Sequence, residues 1–191
     1  MRLARPSGGA SSPEGDPHAW LDPLRLRAFA REVGRALGQI DPEHSQLFTE
    51  RAERYAATLT ELHERFVAHL GACDRRVIVT THAAFGHLAR RYDLAQEAVI
   101  GFGGEAEPTP GRLDEVARLI ERDHLTTVFD EPGGARNVAR TLARETGAKV
   151  ATLYPLESLT PTQATLGATY VSVMDENLAA LVKALGCDAG A

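Results

Sequence analysis

The sequence predicts an α/β protein: a long backbone helix followed by a lobe built on a four-stranded, mostly parallel sheet flanked by helices. Three observations predict it. Val77, Ile78, Val79, Thr80 and Thr81 form a continuous β-branched run with no polar face, the mark of a parallel strand covered on both sides. Strand and helix patterns alternate from there onward, as they do when parallel strands are joined by helical crossovers. Ahead of them, residues 41–70 carry one uninterrupted helical pattern about 40 Å long, which suits a spine rather than a filler.

Residues 1–15 are rich in Pro, Gly and Ser, show no periodicity, and read as a disordered lead-in. Asp22 followed by Pro23 is a helix start, and Leu26, Phe29, Ala30, Val33, Leu37 and Ile40 mark the apolar face of that helix. Asp41 and Pro42 repeat the device for the spine, whose apolar residues Phe48, Ala52, Tyr55, Leu59, Leu62, Phe66 and Leu70 recur at spacings of three and four before Gly71 ends it. The first strand stops at Thr81, which puts His82 in the turn. A helix then begins near Ala83, with Ala84, Phe85, Leu88, Ala89 and Tyr92 on its apolar side and His87, Arg90, Arg91 and Asp93 mostly on the other.

A second strand is expected near residues 98–101, followed by a loop over 102–110 and a helix marked by Leu113, Val116, Ala117, Leu119 and Ile120. The third strand, 126–129, runs into Asp130, Glu131, Pro132, Gly133 and Gly134, a turn that sets two carboxylates at a strand's carboxyl end. A helix over 135–146 closes at Gly147, and the fourth strand occupies 149–153. A long loop containing Pro155 and Pro161 precedes the last helix, with Val171, Met174, Leu178, Leu181, Val182 and Leu185 on its buried face.

A chain of 191 residues can bury a sizeable core. The net charge of -5 and the dispersed Lys and Arg supply no basic stripe, which argues against nucleic acid as a partner. No run approaches the roughly 20 apolar residues of a membrane span, and the N-terminus lacks the apolar centre of a signal peptide. Cys73 and Cys187 belong to no CxxC pair; they form one disulfide in an oxidising compartment or remain two small buried hydrophobes.

Chemistry is expected where His82 follows its strand, because ligands of open α/β sheets collect beyond the carboxyl ends of strands; the plainer reading is a turn histidine capping a helix. His18, between Pro17 and Trp20, sits in a stretch stiffened by prolines and a capping Asp, which suits a ligand and equally a structural loop. His44, His63 and His69 lie off the apolar face of the spine and read as solvated. His87 cannot join His82 on one metal as an i, i+4 pair does, since five residues of helix leave the side chains about 140° apart. His124 precedes the third strand, at the wrong end of the sheet.

DPHAWLDP (16–23), THAAFGHLARRYDL (81–94), EAEPTP (105–110), FDEP (129–132) and TYVSVMDENLAALVKAL (169–185) resemble, in order and spacing, the metal-binding solute-binding proteins of bacterial zinc and manganese ABC transporters. That family has two α/β lobes joined by a long backbone helix, with the metal between them. The resemblance implies a remnant of the N-terminal lobe at 16–40, the backbone helix at 41–71 and the C-terminal lobe at 76–186. It assigns His18 and His82 as metal ligands, with Glu157 as a further ligand and Tyr154 or water as alternatives. Asp130 and Glu131 become partners that orient an imidazole, or Glu131 caps the next helix. A His at position 82, where manganese relatives tend to carry a carboxylate, places the chain in the zinc branch, with Mn2+ second.

The implied function is capture of a divalent metal, zinc before manganese, outside the cytoplasmic membrane for delivery to an ABC permease, without catalysis. An interaction module with impaired metal binding and a zinc hydrolase are the other readings. The family's first histidine and most of its N-terminal lobe would lie upstream of DPHAW, so the chain reads as truncated. The helix face over residues 24–40 is then expected to lack its cover, and either to fold back on the spine or to self-associate.

Overall fold

A computed structural model describes residues 15–102, 107–133 and 136–187. The expected lead-in up to residue 14, part of the 102–110 loop and the expected helix start at Ala135 lie outside these residues.

Helix α1 (Pro23–Ile40) and helix α2 (Ser45–Leu70) form the first part of the fold, linked by a 3-10 turn, Pro42–His44. At ~1.5 Å per residue, the 26 residues of α2 span about 39 Å. The strands β1 (Val77–His82), β2 (Ala95–Ile100), β3 (Thr127–Asp130) and β4 (Lys149–Thr152) pair in the order β2-β1-β3-β4, and every pairing is parallel. The crossovers carry α3 (Gly86–Arg91), α4 (Pro110–Arg122) and α5 (Arg136–Thr146), and the chain closes with α6 (Pro161–Thr165) and α7 (Tyr170–Leu185).

Alternation along the central strands separates two cores. Ile78 and Phe129 face one layer with Leu62, Phe66, Leu88, Met174 and Leu181, from α2, α3 and α7. Val79 and Val128 face the opposite layer with Val116, Ile120, Ala139 and Leu142, from α4 and α5. A strand covered on both faces favours apolar residues, which is why β1 opens with Val77, Ile78 and Val79 ahead of the buried polar residues at its carboxyl end.

The topology sets the site. The crossover from β1 leads to β2 on one side, whereas β3 pairs with β1 on the other, so the crevice past the carboxyl ends of β1 and β3 is the switch point of the sheet. His82 pairs with Ile100 and Asp130 with Thr152, which aligns the ends of all four strands on one edge.

Several boundaries differ from the sequence reading. His82 is the last residue of β1 rather than part of the turn, because its backbone continues the ladder with β2. The following helix starts at Gly86, after three buried, non-helical residues, Ala83, Ala84 and Phe85. β2 begins three residues earlier than expected, and β3 extends through Asp130. The short α6, opened by Pro161 and a Thr160–Gln163 capping box, lies inside what reads as a loop.

Helix α1 does fold back on α2, yet not through the face centred on Val33. Gly34 and Gly38 make the close approach: a β-carbon at Gly34 would stand 2.6 Å from the Ala52 side chain, and one at Gly38 2.6 Å from the Ser45 hydroxyl. Leu26 packs toward the core, while Phe29 is left 71% and Ile40 80% exposed, with Val33 and Leu37 also exposed. Cys73 and Cys187 are joined in a disulfide that fastens the segment after α2 to the end of α7.

Candidate metal centre

His18 is placed by the loop it belongs to. Pro17 and the 3-10 turn Ala19–Leu21 lead into Asp22, which caps α1 by accepting from the Leu24 and Arg25 N–H groups at 3.0 and 3.4 Å. Arg91, at the end of α3, pairs with the same carboxylate at 2.8 Å and fastens the loop to the lobe. Two residues before His18, the buried Asp16 accepts from its backbone N–H at 3.0 Å and, at 2.9 Å, from its ring Nδ1. A carboxylate only accepts, so Nδ1 is the donor in this contact, and Nε2 is turned toward the crevice, where the Glu157 carboxylate faces it. Gly86 makes room for the arrangement, since a β-carbon there would lie 2.7 Å from Asp16 Oδ2. His18 itself is 1% exposed.

His82 arrives from the sheet. Its carbonyl accepts from the Thr80 hydroxyl at 2.7 Å and the Gln96 amide at 3.0 Å. Its Nδ1 lies 2.7 Å from Glu131 Oε1, and Glu131 is in turn fixed by donating its N–H to Asp130 Oδ1 at 2.7 Å. Of the two carboxylates expected near an imidazole, Glu131 touches the His82 ring and Asp130 accepts from the backbone N–H of Glu131. The remaining nitrogen, Nε2, is 3.1 Å from the Phe102 carbonyl. Burial disfavours the imidazolium, but the Glu131 carboxylate and the Phe102 carbonyl outweigh it and hold the His82 pKa above the ordinary histidine value.

Glu157 completes the cluster from the loop after β4, its Oε1 3.2 Å from His18 Nε2. The donor atoms of His18, His82 and Glu157 all fall within 4.8 Å of one another, and the two imidazole rings stand 5.0 Å apart, edge to face. Tyr154, the other residue considered at this position, is fixed through its backbone: its N–H and C=O are both bonded by the Asn177 side chain, at 2.8 and 2.9 Å.

The remaining histidines stay outside the cluster. His44, His69 and His124 are exposed. His63 is not fully solvated as its place off the spine's apolar face suggested, because its ring stacks on Tyr92, with Nδ1 3.3 Å from the phenol. His87 is buried, contrary to its expected place on the polar side of α3; its Nε2 meets the Asp16 carbonyl at 3.1 Å and Arg90 approaches its Nδ1 at 3.1 Å. The pattern of α3 misleads because a loop distant in sequence covers that side of the helix. Asp16, Asn177 and the Phe102 carbonyl are the parts of the site that residue patterns passed over. Only Asp16 had a local signal: an Asp two residues ahead of a His can accept from its backbone N–H.

Residues 4–184 match the family described as zinc-uptake complex component A, periplasmic. The chain is similar to the zinc-binding lipoprotein AdcA of Streptococcus pneumoniae, 34% identical over 168 residues, 88% of this chain and 34% of that protein. It is also similar to the zinc-binding protein AdcA of Streptococcus pyogenes, 34% identical over 166 residues, 87% of this chain and 32% of the relative. The chain therefore spans about a third of the length of these curated relatives. Among solved structures it resembles the laminin-binding protein Lbp of Streptococcus pyogenes, with a TM-score of 0.83 at 32% identity, covering 89% of this chain and 65% of that one. The Zn(II)-bound ZnuA-like domain of Streptococcus pneumoniae AdcA gives a TM-score of 0.78 at 33% identity, over 91% and 65% of the two chains. A family match over nearly the whole chain and a shared fold at this level of identity lead to one conclusion: the chain belongs to the zinc-uptake complex component A family.

Proposed function

We propose that this chain captures a divalent metal, zinc before manganese, through His18, His82 and Glu157, and that it serves as an extracytoplasmic receptor delivering the ion to an ABC permease. The observation that carries the reading is the convergence of three donors from three separate segments within 4.8 Å. Two imidazoles and one carboxylate suit zinc, and the nitrogen share disfavours the harder Mn2+. Each ring is backed through Nδ1 by a carboxylate, Asp16 or Glu131, an arrangement that fixes the tautomer and raises the basicity of metal-ligating histidines. Donors on a tetrahedral zinc stand about 3.4 Å apart at bond lengths near 2.1 Å, so modest side-chain movement would close the cluster, with water in the fourth position.

The names of the zinc-binding relatives support the choice of ion, and the description of one as a lipoprotein supports the location. The Cys73–Cys187 disulfide suits an oxidising compartment. No described helix is long and apolar enough to cross a membrane.

Calorimetric titration with Zn2+ tests the reading. The parent chain is expected to bind one equivalent, with His18→Ala and His82→Ala losing most of the affinity and Glu157→Ala losing a large part. Three variants that bind like the parent would overturn the site, and a parent chain that gives no heat would leave an interaction module in its place.

A second proposal concerns partners. The exposed Phe29, Val33, Leu37 and Ile40 form one stripe of α1, and a two-fold pairing of chains would cover it with a self-complementary patch.

A further inference from the structure

Glu157 is the least supported member of the cluster by ordinary means. Its side chain is 53% exposed and it belongs to no helix or strand. The residue before it, Leu156, has a φ of +59°, a left-handed backbone that side chains other than glycine rarely adopt unless their surroundings impose it.

The surroundings here are specific. Leu153 extends the ladder one residue past β4 by donating to the Asp130 carbonyl at 2.9 Å. Asn177, fully buried on α7, takes both backbone groups of Tyr154. The Trp20 indole N–H then donates to the Pro155 carbonyl at 2.7 Å. Three consecutive residues are thus tied, the chain turns left-handed at Leu156, and Glu157 emerges facing His18.

Trp20 is itself anchored. Its carbonyl accepts from the Tyr170 hydroxyl at 2.7 Å, its side chain packs against the core as those of Tyr170 and Leu156 also do, and it meets the His18 ring edge to face at 5.3 Å. The Trp20–Pro155 bond therefore has one end two residues from His18 and the other two residues from Glu157. It is a hydrogen bond from a side chain of one loop to the backbone of the other.

We infer that Trp20 is a positioning residue of the metal centre, whose indole N–H holds the 154–157 segment in the conformation that aims Glu157 at the ion. The inference rests on the metal reading above. A buried indole finds some hydrogen-bond partner in most proteins, so the informative quantity is whether this bond acts through Glu157.

A double-mutant cycle on the full chain decides it, with Zn2+ as the probe and competition calorimetry as the readout. Trp20→Phe keeps an aromatic ring on the core and removes the donor; its zinc affinity should fall about tenfold, the lower end of what losing an outer partner of a metal ligand costs. In a Glu157→Gln background the same change should cost less than twofold, and the Co2+ absorption spectrum should change on Trp20→Phe in the parent background alone. If Trp20→Phe does not fold, Tyr170→Phe loosens Trp20 from the far side and must show the same dependence on Glu157. An equal loss in both backgrounds, or no loss from Trp20→Phe in a chain that still needs His18 for zinc, overturns the inference and leaves the metal reading standing. Zinc binding indifferent to His18 and His82 overturns both.

Discussion

His82, at the end of β1, and Glu131, just past β3, face each other at 2.7 Å across the switch point of the sheet. The contact joins the two strands whose carboxyl ends define the crevice, and on the proposed metal reading it leaves Nε2, now 3.1 Å from the Phe102 carbonyl, as the nitrogen that would meet the ion. Glu131→Gln should therefore weaken zinc binding by between about 10-fold and 100-fold, the range for loss of a carboxylate behind a metal-bound histidine. Competition titration against a chelator of known affinity measures it, and an unchanged dissociation constant would remove Glu131 from the site.

Trp20 is the sole tryptophan, and its ring lies 5.3 Å from that of His18. Zinc at His18 changes the charge and orientation of a ring in contact with the fluorophore. Tryptophan emission should respond to Zn2+ with an end point at one equivalent, and His82→Ala should abolish the response at the same concentrations. A response that persists in His82→Ala would place the ion elsewhere.

Asp22 caps α1 and pairs with Arg91 while its own side chain is only 3% exposed. Asp22→Ala removes the cap, worth about 1 kcal/mol, and breaks a charge pair with one buried partner, so a total loss of about 2–3 kcal/mol is expected. Asp22→Asn retains a good cap and should lose roughly half as much. At about 2–4 °C per kcal/mol for a chain of this size, thermal melts separate the two variants.

Burial and, after it, the Arg91 charge hold the His63 pKa below the ordinary histidine value. The folded state then takes up a proton less readily than the unfolded chain. Stability is full above about pH 6.5, and it falls as pH drops from there through the lowered pKa before levelling off. His63→Gln should flatten this acid limb in melts recorded with chelator present. Its zinc affinity should stay within twofold of the parent, since His63 lies outside the cluster. An acid limb as steep as the parent's would show that other groups govern it.

The stripe formed by Phe29, Val33, Leu37 and Ile40 predicts concentration-dependent association. Sedimentation velocity over a wide concentration range should show dimer in the parent and monomer in Val33→Asp. A parent that stays monomeric throughout would dismiss the pairing.

Much of this architecture was legible in residue patterns because the forces responsible are short-range or periodic. Asp22 with Pro23 starts a helix wherever it occurs, the spacing of Leu59, Leu62, Phe66 and Leu70 draws one stripe down α2, and a β-branched run at 77–79 has few conformations other than a buried strand. Histidines 18 and 82 stood out for related reasons, one in a stiff loop and one at a strand end. Their meeting at a ring separation of 5.0 Å could not be read that way, because it depends on contacts such as Asp22–Arg91 and Asp16–His87 that hold the His18 loop against the lobe, just as the arrival of Glu157 depends on a loop 139 residues from His18. The same holds for His87, buried by the Asp16 loop, and for α1, where Gly34 chose the packed side and left the more apolar side exposed. Periodicity records which face of a helix is apolar, whereas burial is decided by what the rest of the chain brings against it. Local patterns thus supplied the elements and the candidate donors; the shape of the site, the pairing of Cys73 with Cys187 and the left-handed turn at Leu156 came from contacts between segments far apart in sequence, which no local pattern encodes.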